Sequence, residues 1–401
     1  MQLNDILIVH NATKLTILRQ IGSKGGNKWL NPNFLVNLLF SIYIYSEVYM
    51  SINQRIDAFV RLGEEIRRAM AMPASTFASQ LLLAEKENPW FTQPNIVRML
   101  NVIAGQWLTR ESLEAWAYGY VKPDTVDTKP MRVGVVAAGN IPLVGFHDVL
   151  CVLLAGHTLV LKPSSRDTVL MRTLRSILIA SDPDFVSRFE ITDGPLRNIE
   201  AIIATGGNGA AMHFQRYIER YPSILRQHRN SMAILDGTET PVEIECLADD
   251  VFAYFGMGCR SVSTVWVPED FDLVPMLDRF GAWRHITQHH KYANNYEYQR
   301  TLFAINGIHH YDTGYLLLRE SDALDSPIGV LHYRHYTSPD EVRRFMADRA
   351  NELQCVVGNP SKYSNAIPFG TAQTPSLSDY ADGIDTFNFL LGLQKKAVHD
   401  L

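Results

Sequence analysis

The hydrophobic pattern divides the chain into two regimes. From Met50-Ser51 onward, Ile52, Ile56, Phe59, Val60, Leu62 and Ile66 recur at helical spacing with Arg and Glu between them, which predicts an amphipathic helix. From Met131 the pattern becomes short β-branched runs separated by helical stretches. Val133–Val136, Thr158–Leu161, Ala201–Ala204 and Met232–Leu235 read as buried strands. Leu143–Ala155, stopped by Gly156, and Arg166–Ala180 read as helices, and a third runs from Gly209 to about Arg220. Strands alternating with helices of this length predict a doubly wound, mostly parallel α/β sheet. Such sheets bind ligands at the carboxyl ends of their strands, here occupied by turns rich in Gly, Ser and Thr. The GxGxxG dinucleotide fingerprint is missing. Gly206-Gly207-Asn208-Gly209 taken alone reads as a plain strand-to-helix turn.

Residues 1–50 differ from the rest. Asn- and Lys-rich pieces precede an apolar run, Phe34–Tyr45, broken by Asn37 and Ser41. It is too short and too polar to span a bilayer and lacks a signal-peptide cleavage pattern. Folded structure is expected to begin near Met50. The preceding residues read as an atypical extension, either an over-long start or a membrane-touching or oligomer-stabilising arm.

With 46% apolar and 20% charged residues in 401, the composition excludes a disordered chain, a collagen-like fibre and a coiled coil. A net charge of −5 argues against a whole-protein grip on nucleic acid. Four scattered cysteines make no disulfide scaffold, so a reducing, cytoplasmic setting is expected.

Several segments carry a resemblance together. Val133 to Ser165 reads V-G-V-V-A-A-G-N-I-P, a helix, then A-G-H-T-L-V-L-K-P-S-S; Thr205-Gly206-Gly207, Gly256-Met257-Gly258-Cys259 and Pro368-Phe369-Gly370 follow in order. This resembles the aldehyde dehydrogenase superfamily from about Met131 to the end. Gly258-Cys259-Arg260-Ser261-Val262-Ser263, Ser326-Pro327-Ile328-Gly329-Val330 and Tyr380-Ala381-Asp382-Gly383 are similar to its long-chain acyl-CoA reductase, LuxC-like branch. The resemblance implies a doubly wound cofactor domain plus an α/β catalytic domain. The helical N-terminal region and cofactor domain would take residues 51–235, the catalytic domain 236–385 and a C-terminal tail 386–401. The tail from Phe387 is expected to pair with a second subunit in a homo-oligomer, as in relatives.

Cys259 is the candidate nucleophile. Its glycine-containing turn lets backbone N–H groups approach the sulfur, and the adjacent Arg260 adds positive charge; both are expected to lower the thiol pKa. Cys151 and Cys355 lie in apolar runs and read as structural; Cys246 has acidic neighbours that disfavour a thiolate. Attack on an acyl carbon develops an oxyanion needing aimed donors, for which Asn140 and the Cys259 backbone N–H are the candidates. Asn140 also fits a plain turn residue before Ile-Pro.

By resemblance, Lys162, Ser164, Ser165 and Arg166 would bind the dinucleotide, with Thr205, Gly206 and Gly207. Many NAD-using relatives carry Glu after K-P-S to accept from the adenosine 2′-hydroxyl. Ser165 followed by Arg166 suits a 2′-phosphate instead, which predicts NADPH. Hydrolytic relatives also carry a water-activating Glu in E-L-G-G-K-S, where this chain reads Arg226-Gln227-His228-Arg229-Asn230-Ser231, without a carboxylate. A second thiol such as coenzyme A then becomes the acyl partner, and Arg226, His228 and Arg229 either attract its phosphates or form a solvated basic turn.

The expected reaction is NADPH-dependent reduction of a fatty acyl-CoA to the aldehyde through a cysteine acyl-enzyme. The donor would be acyl-CoA or another acyl thioester, or an acyl-transferring partner protein. The rivals are a hydrolytic aldehyde dehydrogenase and a non-catalytic acyl-binding subunit. His285, His289 and His290 do not complete a recognised zinc spacing, and no metal is expected. Tyr292, Tyr296 and Tyr298 read as packing, with lining of an acyl channel as the alternative.

Overall fold

The computed structural model describes residues 50–72, 75–123, 130–206, 218 and 220–399, with side chains to 393. The expected N-terminal extension before Met50, residues 124–129, Gly207 and most of the helix expected after Gly209 lie outside the described residues.

Helix α1 (Ile52–Met70) starts where the sequence places it because Ser51 and Gln54 close a capping box. The Ser51 hydroxyl accepts from the Gln54 N–H at 3.3 Å, and the Gln54 side chain accepts from the Ser51 N–H at 2.8 Å. Its stripe of Ile52, Ile56, Phe59, Leu62 and Ile66 is fully buried, the face the sequence period selects. Three further helices, α2 (Thr76–Glu87), α3 (Gln93–Val102) and α4 (Arg110–Ala117), complete the helical region. A π-helical turn, Ile103–Trp107, continues α3.

A five-stranded parallel sheet follows, built from β1 (Arg132–Val136), β2 (Thr158–Lys162), β3 (Phe189–Ile191), β4 (Ala201–Thr205) and β5 (Ser223–Arg226). Its order is β3-β2-β1-β4-β5. Helix α5 (Phe146–Leu154) follows β1 and α6 (Thr168–Ser181) follows β2. The strand order reverses between β1 and β4, so the ligand crevice of a doubly wound sheet opens between the Asn140 turn and Thr205–Gly206.

The second sheet has seven strands in the order β12-β11-β6-β7-β10-β9-β8. Its centre is β6 (Asn230–Ile234), β7 (Val262–Pro268) and β10 (Val330–Tyr336), with β11 (Leu353–Val357) paired in parallel to β6. The remaining strands are β8 (Tyr311–Asp312), β9 (Leu317–Glu320) and β12 (Ala366–Ile367); only β8 runs antiparallel to its neighbour. Helix α7 (Pro241–Phe252) lies between β6 and β7. Strand β6, read from sequence as the last strand of the cofactor lobe, therefore belongs to the other sheet. The chain crosses between sheets over 227–229, a few residues before the expected boundary at 235.

The C-terminal helix (Thr386–His399) buries Phe387, Leu390 and Leu393 against the first lobe of its own chain, and the His157 imidazole bonds the Leu390 carbonyl at 3.0 Å. Among the described residues, no helix is long and apolar enough to cross a membrane.

Candidate active site

Cys259 lies in the short turn between α7 and β7. The approach to it is strained. Tyr254 (φ 54°), Phe255 (φ 60°) and Gly256 (φ 73°) are three successive left-handed residues, and only the glycine adopts that region without cost. Each non-glycine there costs about 1–3 kcal/mol and persists only when surroundings hold it. The Phe255 ring supplies such a hold, packing 4.3 Å from the His289 ring and 5.3 Å from Trp90. Strain of this kind turns the chain sharply, so that Cys259 lines a cavity of about 100 Å³ rather than entering β7.

Its apolar lining includes Met99, Val102 and Trp107 from the α3 end and Ile141, Leu143 and Val144 from the turn after β1. Its polar lining includes His147, Asp148, Arg226 and Arg260. The free space holds a short length of acyl chain or a few waters, not a whole coenzyme.

The thiol environment departs from expectation. Burial pushes the Cys259 thiol up to about 11; Arg260 pulls it down but does not win. The Arg260 Nε donates to the Ala372 carbonyl at 2.6 Å, so its guanidinium is partly spent on the backbone. Desolvation is the larger effect and outweighs the adjacent charge. Only the thiolate is nucleophilic, so iodoacetamide alkylation of Cys259 should accelerate about tenfold per pH unit between about pH 7 and about pH 10. Peptide mass spectrometry of Cys259 reads this; a rate that levels off near pH 8 would contradict the raised pKa.

Asn140 meets this turn directly. Its Nδ2 donates to the carbonyl of Met257 at 2.8 Å, two residues before Cys259. That bond uses one amide hydrogen and leaves the other to point elsewhere. Asn140 thus joins the carboxyl end of β1 to the turn before Cys259, more than a turn residue before proline requires. The Ser231 hydroxyl, on β6, donates to the Cys259 carbonyl at 2.9 Å and lies 3.1 Å from Cys355 Sγ. Cys355 therefore neighbours the Cys259 turn, which its apolar sequence context did not reveal.

At the end of β2, Lys162 and Ser164 are half-buried and Ser165 and Arg166 exposed. Among the described residues neither the Lys162 ammonium nor the Arg166 guanidinium has a side-chain partner, and Ser164 Oγ accepts from the Arg166 N–H at 3.3 Å. This turn packs on the Asn140 turn so closely that a Cβ on Gly139 would lie 2.4 Å from Ser164 Oγ. Thr205 and Gly206 end β4, with the Gly206 N–H 3.4 Å from the Arg226 carbonyl. Two unpaired cations beside a switch point fit a dinucleotide's phosphates. The structure thus groups Asn140 with Cys259's turn and, through Gly139, with Lys162–Arg166.

Other readings change. Arg226 is 5% exposed, ion-paired to Asp148 and hydrogen-bonded to Thr386 Oγ1 at 2.7 Å, so it is not a free phosphate ligand. Arg229 pairs with Asp382 and bonds the Leu353 carbonyl; only His228 of the trio stands exposed. The signal for the Arg226–Asp148 pair was Asp148 itself, one carboxylate inside an otherwise apolar helix, which calls for a buried partner. Tyr292 and Tyr296 pack in the core of the second sheet and Tyr298 is exposed; none lines the cavity. His289 caps its helix, accepting from the Tyr292 N–H. Among the described residues, no group of three or more His, Cys, Asp or Glu is placed to hold a metal.

Known proteins share this architecture. KauB, an aldehyde dehydrogenase of Pseudomonas aeruginosa, is 14% identical with a TM-score of 0.57, over 79% of this chain and 74% of its own. Aldehyde dehydrogenase 21 of Physcomitrella patens, solved with the reaction product succinate, is 13% identical with a TM-score of 0.61, over 88% and 86%. A mutant of the P. syringae indole-3-acetaldehyde dehydrogenase AldA, in complex with NAD+ and IAA, is 14% identical with a TM-score of 0.57, over 79% and 74%. A comparison with curated protein sequences gives no match.

The fold is therefore that of the aldehyde dehydrogenases. The acyl-CoA reductase (LuxC) family model matches residues 86–276, a segment that includes Asn140, Lys162 and Cys259, and the chain is an oxidoreductase of the acyl-CoA reductase type. The match begins upstream of Met131, within the helical region whose α3 end walls the cavity.

Proposed function

We propose that this enzyme reduces a fatty acyl-CoA to the aldehyde with NADPH, through a thioester on Cys259. The observation that carries this reading is the Asn140 arm, in contact with both the turn before Cys259 and the turn bearing Lys162–Arg166.

The Cys259 thiolate attacks the thioester carbonyl and forms a C–S bond. The second Asn140 amide hydrogen and the Cys259 N–H, which has no other acceptor among the described residues than its own thiol, hold the oxyanion. The C–S bond to coenzyme A then breaks, and the proton lost by Cys259 is taken up by the departing thiol, so the exchange is proton-neutral. Lys162, Ser164, Ser165 and Arg166, with Thr205, Gly206 and Gly207, would hold the dinucleotide, which when bound supplies a hydride to the acyl carbon. Cys259 leaves as the thiolate and is reprotonated by solvent. The first sheet carries the cofactor and the second the nucleophile.

Among the described residues lining the cavity, each candidate base for water attack is already engaged. His147, the one imidazole lining the cavity, has Nε2 on the Leu377 carbonyl at 3.0 Å and Nδ1 3.7 Å from Cys151 Sγ; burial pulls its pKa down. Asp148 is tied to Arg226. Asp379, also in the lining, accepts from the Ser376 N–H at 2.8 Å and from its hydroxyl at 3.0 Å. These pairings disfavour the hydrolytic alternative. Product analysis tests this: fatty acyl-CoA plus NADPH should yield aldehyde and free coenzyme A, and aldehyde plus NADP+ should release little acid without coenzyme A. Rapid acid release would support the hydrolytic enzyme.

The exposed Arg166 and Ser165 favour a 2′-phosphate. kcat/KM should be higher with NADPH than with NADH, and Arg166→Ala should cost about tenfold with NADPH and little with NADH, on the scale of one charge-assisted contact. A clear preference for NADH would refute the cofactor assignment.

A further inference from the structure

The Asn140 arm contains a residue whose backbone conformation needs support. Leu143 has φ 54°, left-handed for a branched residue with no glycine's freedom, and its side chain walls the Cys259 cavity. Its N–H donates to Asp167 Oδ2 at 2.6 Å. Asp167 is 2% exposed, sits just past the turn bearing Lys162–Arg166, and its other carboxyl oxygen is buried without a partner. Its backbone N–H is tied to the Ser164 carbonyl at 3.0 Å. No other side chain bonds the backbone of 139–143 among the described residues.

The arm is thus pinned at three points. Gly139 presses on Ser164, Asn140 holds Met257, and Leu143 hangs on Asp167. The first and third belong to one turn, so the position of the oxyanion donor is set by the turn after β2. A surface N-cap would need no such depth: Asp167 stands at the N-cap position of α6 but makes no side-chain cap bond to its own helix.

We propose that Asp167 is a positioning residue that locks Leu143 in its left-handed conformation and thereby aims the Asn140 amide at the acyl oxyanion. This rests on Cys259 being the acylated nucleophile. The bond Asp167 makes requires an acceptor, not a charge. Burial also pushes its carboxyl well above the usual range, so asparagine, of the same shape and with an acceptor oxygen, is the conservative replacement.

Two reactions of the same thiol separate positioning from folding. Acyl transfer from acyl-CoA passes through an oxyanion; alkylation by iodoacetamide does not. Asp167→Ala should slow acylation of Cys259 by about a hundredfold, on the scale of losing one oxyanion donor. It should leave alkylation of the same thiol within about twofold, the scale of a conserved thiol environment. Asp167→Asn should acylate at near the wild-type rate. Leu143→Gly, which removes the conformational cost, should restore much of the rate in the Asp167→Ala background.

Equal loss of acylation and alkylation in Asp167→Ala would assign it a structural role and overturn the proposal, as would unchanged acylation. Loss of acylation in Asp167→Asn as deep as in Asp167→Ala would also overturn it. Absence of acylation in the wild-type enzyme would instead overturn the reading of Cys259, and this proposal with it.

Discussion

Replacing Cys259 with alanine is expected to abolish acyl-enzyme formation and aldehyde production, with kcat falling roughly 10⁶-fold, the scale for loss of a covalent nucleophile. The other three thiols are poor substitutes. Cys151 is buried, with its thiol pushed well above the ordinary range by desolvation. Cys246 is raised by burial and by Asp250, Asp249, Glu245 and Glu243. Cys355 bonds to Ser231 and does not line the cavity. Cys259 fills little volume, so the alanine variant should keep its melting temperature while losing activity. Steady-state aldehyde formation and labelling with radioactive acyl-CoA measure both losses. Aldehyde formation by the variant at the wild-type rate would place the chemistry elsewhere.

Asn140→Ala should lower kcat by about 10²–10³, or about 2.7–4 kcal/mol of transition-state stabilisation, while changing KM for acyl-CoA little. In the proposed mechanism the amide acts where charge develops, so the ground-state thioester would gain little from it. A second effect follows from the bond to Met257. The alanine variant frees that carbonyl, whereas Asn140→Asp places a carboxylate against it and against the developing oxyanion. The aspartate variant should therefore be at least as slow as alanine. Iodoacetamide alkylation of Cys259 should be little altered in Asn140→Ala. A KM effect with kcat intact would assign Asn140 to substrate binding instead.

The chain is legible where its signals are local. In the first sheet β1, β2 and β4 are short runs rich in β-branched residues, and they fall where the periodicity predicts them. Helix α1 starts at its capping box for the same reason. Sheet membership was not local. Strand β6 is buried on both faces, as central strands of either sheet are, and its partner β11 lies more than a hundred residues downstream. Nothing in its own pattern says which sheet it joins.

The site divides along the same line. Asn140, Lys162 and Cys259 stand in recognisable segments, whereas the state of the thiol depends on burial and on Cys355 and Asp382, carried in from distant stretches. Arg226 reads as surface charge because its sequence neighbours are polar, yet it ends β5 against Asp148. Asp167 gave no motif; its role depends on the left-handed Leu143, a backbone feature that leucine does not advertise.

The most direct test of the account follows one acyl group. The enzyme is mixed with radioactive fatty acyl-CoA without nucleotide, the labelled peptide is identified, and NADPH is then added. A stable label on Cys259 is expected, with one equivalent of coenzyme A released, discharged as aldehyde by NADPH. A label on another residue, or its release as free acid whether or not NADPH is added, would contradict it.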